Sequence, residues 1–579
     1  MLTYMPPLRD VRFALAALDL PGRFPHLDSD IAETILEEAG RFAAEVIAPL
    51  NQAGDGSGCT RDLDGAVITP PGYRDAYRQY REVGWGTLAL PEEFGGQGMP
   101  HVLATAVEEF LNSACHAFNM YPGLTHGAVA ALAAHGSDEL KAAYLPKLVA
   151  GEWLGTMALT EAQAGTDLGL IRTRAEPGAD GSYAITGEKI FCSGGEHDLT
   201  DNIVHLVLAR IAGAPEGSRG ISLFVVPKVL PDGRRNAVAC GSIEHKMGVR
   251  GSATCVMHFE GATGWLVGKE HAGLAAMFVM MNAARLSCGN QGLAQAELAY
   301  QNAAAYALER RQGRAAGSTE AADPLIVHPD VRRLLMDARA FIEGFRALVL
   351  WTAMEIDVVH SGASAEERAA AEALVGFLTP VIKAYGTDKG FETAVAMQQL
   401  FGGHGYIVET GIEQVVRDAR VAMLYEGANG VQALDLAGRK LMRDAGQVAE
   451  RFIGLVERDC ETAPDDLLFL RAPLREALHE AREASLWLLS EGKDDADNVG
   501  AGSYAYLELI GVIAVGWMWL RLAQGALAGA DDPFNAAKLA TARHYALRTL
   551  PEVTTQRRRV EAGAETVMAL PPQAFVRQG

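Results

Sequence analysis

Between about Gly155 and Gly268 the chain carries short runs of alternating or β-branched residues, and on both sides of that stretch it carries helical three-and-four spacing. Strands confined to one block between helical blocks give an α+β fold, whereas alternating βα units would give a parallel α/β sheet. The runs at 183–185, 189–192, 203–209, 221–226 and 255–259, separated by Gly, Asp and Pro turns, predict a middle antiparallel β domain over 156–270. Residues 1–155 read as an N-terminal all-α domain. Asp28 or Ser29 is available to cap its first amphipathic helix, and loops are expected at 52–72 and 91–100. Residues 271–444 read as a helical bundle with helices at 270–307, 328–360, 366–399 and 428–444 and a Gly-rich link at 402–405. Residues 445–579 form an additional C-terminal helical domain, with breaks expected at Pro464, Pro473 and the polar stretch 491–498. At roughly 150 residues per domain, 579 residues accommodate four such blocks.

Composition narrows the function classes. The 51 basic and 72 acidic residues give a net charge of −21, which argues against nucleic-acid binding. Seven cysteines without zinc-type spacing imply no metal and fit a reducing, cytoplasmic setting. Arg9, Asp10 and Arg12 precede the short apolar patch near the N-terminus, unlike a signal peptide. The most membrane-like run, 509–520, is short of the about 20 residues a span needs and reads as a buried core helix, so no transmembrane segment is expected.

Four segments carry chemistry. The loop LTEAQAGTD contains Leu159, Thr160, Gly165 and Thr166 and offers hydroxyls and backbone N–H groups without added charge. In GEKIFCSGG, Phe191 and Ser193 lie two apart on a predicted strand, so one ring face and one hydroxyl are expected on the same side. ERRQGR, with Arg310 and Gln312 at a helix end, is paired with QQLFGGHGY, in which Gln399 precedes Gly402 and Gly403. A forked cation and a Gly turn suit a diphosphate. In YEGAN, Glu426 sits in a short apolar-flanked loop before a helix, where a carboxylate is expected to have a raised pKa and serve as a general base. Each segment alone also reads as a capped turn, a strand face, a basic helix end or a solvated acid.

In this order, and with the strand-like segment 244–268, these segments resemble the acyl-CoA dehydrogenase family over about residues 30–440. Residues 195–210, 277–294 and 326–333, together with YEGANGVQALDLAGRKL and the added C-terminal region, resemble the 3-methylmercaptopropionyl-CoA dehydrogenase subgroup. The resemblance implies FAD-dependent α,β-dehydrogenation of an acyl-CoA thioester to a trans-2-enoyl-CoA, with electrons passed to an electron-transfer flavoprotein. It implies Glu426 as the base. Leu159, Thr160, Gly165, Thr166, Phe191, Ser193 and Asn429 are implied at the FAD, and Thr166, Arg285 and Gly427 at the substrate. Arg310, Gln312, Gln399, Gly402 and Gly403 are implied at the FAD of a neighbouring subunit, hence a homo-oligomer, a dimer or tetramer. Some relatives carry the base on the earlier long helix, where this chain has Ala283 and Ala284. Three departures stand out: Ala162 where Pro is usual, Gly194 where Asn is common, and Ala428 where Thr is usual. They predict a slightly looser flavin loop and adjusted FAD binding. Alternatives on the same fold are an acyl-CoA oxidase using O₂ directly and a non-enzymatic DNA-associated protein. The local basic cluster at 557–559, in an acidic chain, weighs against the latter.

Overall fold

The computed structural model describes residues 2–577; the side chain of Ala283 lies outside the described residues. The chain divides into two compact units. One comprises Met1–Pro6, Ile35–Ser287 and Glu413–Val421; the other comprises Pro7–Thr34, Cys288–Ile412 and Ala422–Gly579.

The first unit holds helices and one large sheet. Its longest helix, His101–His135, bends where Cys115 leaves helical dihedrals (φ −158°, ψ 94°) and carries Pro122 inside it. Part of the stretch expected to be loop is helical, Leu50–Ser57, and is followed by a two-stranded hairpin, β1 (Thr60–Arg61) and β2 (Val67–Ile68). The sheet contains β3 (Trp153–Ala158), β4 (Arg174–Pro177), β5 (Tyr183–Ser193), β6 (Asn202–Ile211), β7 (Ile221–Pro227), β8 (Val238–Ile243) and β9 (Thr254–Val267). Its order is β3-β6-β4-β5-β9-β7, with β8 on β9, and pairing of β6 with β7 closes part of it into a ring. Closure satisfies backbone groups that an open edge would leave unpaired.

The antiparallel expectation holds for β4–β5, β5–β9, β6–β7, β7–β9 and β8–β9, but β6 pairs in parallel with both β3 and β4. Parallel neighbours need a crossover connection. The connection leaving β3 is the loop LTEAQAGTD and the turns after it, so the candidate cofactor loop is also the crossover that the topology requires. Alternating apolar side chains, among them Val207, Ala209, Phe224, Val226, Met257 and Phe259, fill the interior.

The second unit is helical. Asp28 caps Ser29–Phe42 by accepting from the Asp30 N–H at 2.8 Å. Pro329–His360 and Ala365–Leu400 form a long antiparallel pair, and the second begins with a Ser364/Glu367 capping box. Ala496–Leu527 is the one helix among the described residues long and apolar enough to cross a membrane, yet its apolar span is buried within the unit, as expected of a core helix. Trp517 and Trp519 on it are fully buried, and their indole N–H groups donate to Asp459 (2.6 Å) and to the Ala340 carbonyl (2.8 Å). A Cβ on Gly511 would lie 2.5 Å from Tyr385, so this helix passes Ala365–Leu400 at a distance only glycine permits. The break expected at Pro473 is absent: the helix Leu468–Asp494 runs on through Pro473, its sixth residue. The polar stretch does interrupt the helices, at Asp495.

Candidate active site

In the first unit, the Leu159–Asp167 loop is built around Glu161. Its Oε1 accepts from Lys189 Nζ (2.8 Å), Thr173 Oγ1 (2.6 Å) and Thr173 N–H (3.0 Å). Its Oε2 accepts from Arg172 N–H (2.6 Å) and Gln163 Nε2 (2.7 Å). Lys189 is fully buried and also donates to the Leu159 carbonyl at 2.9 Å. Burial by itself raises a carboxylate pKa; Lys189, by charge and hydrogen bond, with Thr173 and the Arg172 N–H, overcomes it and holds Glu161 at about 2. The pair therefore fastens the loop to β5, and the Ile190 N–H adds a bond to the Thr160 carbonyl at 2.8 Å. This anchoring offsets the looseness expected from Ala162. Thr160 is left half-buried, whereas Gly165 and Thr166 are exposed.

Two residues after Lys189 the strand changes. The β5–β9 register shifts between Lys189 and Cys192, and Phe191 has φ +57°. This is a β-bulge with a non-glycine residue in left-handed backbone, a feature concentrated at functional sites. The bulge breaks the strict alternation behind the same-side expectation for Phe191 and Ser193. Phe191 is instead turned outward, 60% exposed, with Ser193 half-buried beside it. Gly194 follows at φ +60°, which explains that departure: Gly and Asn are the residues that enter this region most readily. An outward aromatic ring on fixed backbone, with Thr160 bonded through its carbonyl to the adjacent Ile190 and the half-buried Ser193 two residues on, offers a flat face with polar groups close by, so these residues fit a flavin. Arg285 is buried, within 3.2 Å of Asn282 Oδ1 and over the Phe278 ring at 6.0 Å.

In the second unit, Glu426 (φ +55°) and Gly427 (φ +87°) are two consecutive left-handed residues. The preceding Tyr425 hydroxyl donates to Gln291 Oε1. Ala428 occupies the N-cap of Asn429–Leu434 in extended backbone with no side-chain cap, so the missing Thr hydroxyl is a missing helix cap. The side chain of Asn429, expected at the cofactor, is buried, donating to Asp388 Oδ1 (2.8 Å) and Thr387 Oγ1 (3.0 Å) and accepting from Lys383 Nζ (2.8 Å).

The two helix ends paired in the sequence also come together. Tyr306 stacks on Phe401 at 4.4 Å, joining the end of Gly273–Glu309 to the Gly402–Tyr406 turn. Arg310, Gln312, Gln399, Gly402 and Gly403 are all exposed there, and a Cβ on either glycine would meet nothing within 4 Å. Tyr406, Ile407 and Val408 beside them are exposed apolar side chains. Elsewhere in this unit Arg557 is paired with Glu480 (2.6 Å) and Glu561 (2.7 Å), so it is not a free cation for phosphate.

Sequence reasoning passed over Glu161, Lys189, Asp388 and Lys383. A lysine inside a strand otherwise facing the core was the available signal for the first pair.

Comparison with known proteins bears on the chain as a whole. The N-terminal, middle and C-terminal domain patterns of acyl-CoA dehydrogenase match residues 29–152, 156–262 and 271–441, and a pattern described as acetyl-CoA dehydrogenase C-terminal like matches 452–571. The chain belongs to the acyl-CoA dehydrogenase family. Members are FAD-dependent oxidoreductases. It is 44% identical to a 3-methylmercaptopropionyl-CoA dehydrogenase of Ruegeria pomeroyi, over 98% of this chain and 99% of that one. It is 35% identical to a broad-specificity linear acyl-CoA dehydrogenase of Mycobacterium tuberculosis, over 96% of each. An acyl-CoA dehydrogenase from Bacillus anthracis, solved with FAD, shares the fold with a TM-score of 0.77 at 21% identity, covering 96% of this chain and 90% of that one. The extra helical block is thus part of the shared architecture.

Proposed function

We propose that this chain oxidises an acyl-CoA thioester at its α and β carbons to the trans-2-enoyl-CoA, with Glu426 removing the α proton. The observation that carries the reading is the pinned loop Tyr425–Asn429, which holds a carboxylate on left-handed backbone between two hydrogen-bonded anchors. FAD, when bound, supplies the acceptor for the β hydride. The Leu159–Thr166 loop, Phe191 and Ser193 hold its ring, and Arg310, Gln312, Gln399, Gly402 and Gly403 serve a second copy of the chain, so the working form is a homo-oligomer.

The proton next to a thioester is too weak an acid for a free carboxylate, so the developing enolate oxygen has to be stabilised. The Glu426 backbone N–H is the group this chain offers for it. With water excluded by the bound acyl chain, the Glu426 carboxylate becomes a stronger base. Arg285 orients the substrate. Similarity to the Ruegeria and Mycobacterium proteins supports 3-methylmercaptopropionyl-CoA or a linear acyl-CoA as substrate. The same proposal takes electron-transfer flavoprotein as the acceptor and a cytoplasmic setting.

The test is anaerobic addition of short, medium, long and methylthiopropionyl thioesters of CoA to the purified yellow protein. At least one should bleach the flavin in the wild type and fail to do so in Glu426→Gln. Equal bleaching in the variant removes Glu426 from its role, and sustained peroxide formation without another acceptor makes the protein an oxidase.

A further inference from the structure

The Glu426 loop is held on its far side by the helix Ala365–Leu400, which the added C-terminal block contacts in turn. Asn429, three residues after Glu426, is buried, and its side chain is bound from several directions. Nδ2 donates to Asp388 Oδ1 (2.8 Å) and Thr387 Oγ1 (3.0 Å), with the Ala384 carbonyl 3.2 Å away as an alternative acceptor, and Oδ1 accepts from Lys383 Nζ (2.8 Å). These partners all lie on Ala365–Leu400, and Lys383 and Thr387 are fully buried. The other oxygen of Asp388, Oδ2, accepts the hydroxyl of Tyr504, which belongs to Ala496–Leu527 in the extra block. A continuous polar chain therefore runs from Tyr504 through Asp388 and Asn429 to the loop that carries Glu426.

The backbone explains why these groups meet. Gly511 passes Tyr385 at a distance that admits no Cβ. Tyr504 lies about two turns from Gly511, and Asp388 about one turn from Tyr385, so the close crossing brings the two side chains opposite each other. Asp388 and Asn429 are buried, where a polar group left without a partner costs desolvation, and Tyr504, 37% exposed at the rim, supplies the partner for Asp388 Oδ2. The chain also ends where holding is needed. A non-glycine residue in left-handed backbone is strained, and it persists only where its surroundings fix it. Tyr425, bonded to Gln291, anchors one end of the strained pair, and Asn429 anchors the other.

We propose that Tyr504, acting through Asp388 and Asn429, is a positioning residue for the Glu426 loop, so that the C-terminal block takes part in setting the geometry of proton removal. This rests on Glu426 being the base.

The experiment compares wild type with Tyr504→Phe, Asp388→Asn, the double variant and Glu426→Gln, each as full-length FAD-loaded protein. It reads the limiting rate of anaerobic flavin reduction across pH, the acyl-CoA dissociation constant, the FAD content and the melting temperature. Tyr504→Phe removes one oxygen. It should keep FAD content and substrate affinity, lower the limiting rate about ten-fold, and move the pH midpoint of that rate. The double variant should be no slower than the slower single variant, because both changes break one chain. A Tyr504→Phe rate within about two-fold of wild type with an unmoved pH midpoint overturns the proposal, as does a rate loss that only follows loss of FAD or of folded protein. Glu426→Gln separates the two levels. If it reduces its flavin at the wild-type rate, the base assignment fails. If it is inactive while Tyr504→Phe matches wild type, only the positioning role fails.

Discussion

Replacing Lys189 with Met isolates the group that fastens the Leu159–Asp167 loop to β5. In the wild type the Glu161 carboxylate is buried, and its pKa is held at about 2 rather than the ordinary 4.5. That difference of about 2.5 units corresponds to roughly 3 kcal/mol by which the site favours the charged form. Removing one partner of a buried ion pair costs about 3–5 kcal/mol. Glu161 keeps the Thr173 and Arg172 N–H bonds, which places the loss near the lower figure. The variant should therefore melt at lower temperature than wild type, with the loss smaller at pH 5 than at pH 8, because an unpaired Glu161 relieves the penalty by taking up a proton as pH falls. FAD binding to the apo-protein, titrated well below the melting temperature, should weaken, since the freed loop must be ordered again on binding. Glu161→Gln combined with Lys189→Met leaves no uncompensated charge and should recover much of the stability. A Lys189→Met protein that melts like wild type, or a double variant less stable than the single one, refutes the reasoning.

Two further predictions concern the same units. Burial raises the pKa of Asp418 from 3.8 to about 6, against the opposing bonds from the Val249 N–H and Gln414. A raised acid stabilises the fold most below its unfolded pKa and loses that contribution as pH rises through its folded one. Asp418→Asn should therefore gain up to about 3 kcal/mol relative to wild type between pH 4 and pH 7, measured by denaturant unfolding; a pH-independent difference contradicts it. Ala428→Thr restores a hydroxyl at the N-cap of Asn429–Leu434 and should stabilise by about 1 kcal/mol, read as a raised melting temperature.

What the sequence made legible was texture and order. The helical, strand and helical blocks follow from period alone, and the candidate residues follow from motifs that are contiguous in the chain. β3 (WLGTMA) was passed over because it is a parallel strand buried almost throughout, so it shows no alternation to detect. The two-residue period behind the same-side expectation for Phe191 and Ser193 is interrupted by a bulge one residue long, which strand pattern alone does not reveal. The pairings of Lys189 with Glu161, and of Tyr504 with Asp388 and Asn429, were not legible for another reason: these bonds join residues 28, 116 and 41 positions apart, and although a lysine in a strand marks Lys189 as unusual, no local pattern marks its partner. The sequence placed Asn429 at a cofactor by motif. Its side-chain amide is bonded to the helix beneath the loop, a supporting role that the motif does not show.

The most direct test of the account is the anaerobic flavin spectrum of wild type and Glu426→Gln after addition of methylthiopropionyl-CoA and a linear acyl-CoA series. The account predicts rapid bleaching of the wild-type flavin by at least one of these thioesters and an oxidised, yellow flavin that persists in the variant. A variant that bleaches at the wild-type rate, or a wild type that no acyl-CoA bleaches, contradicts it.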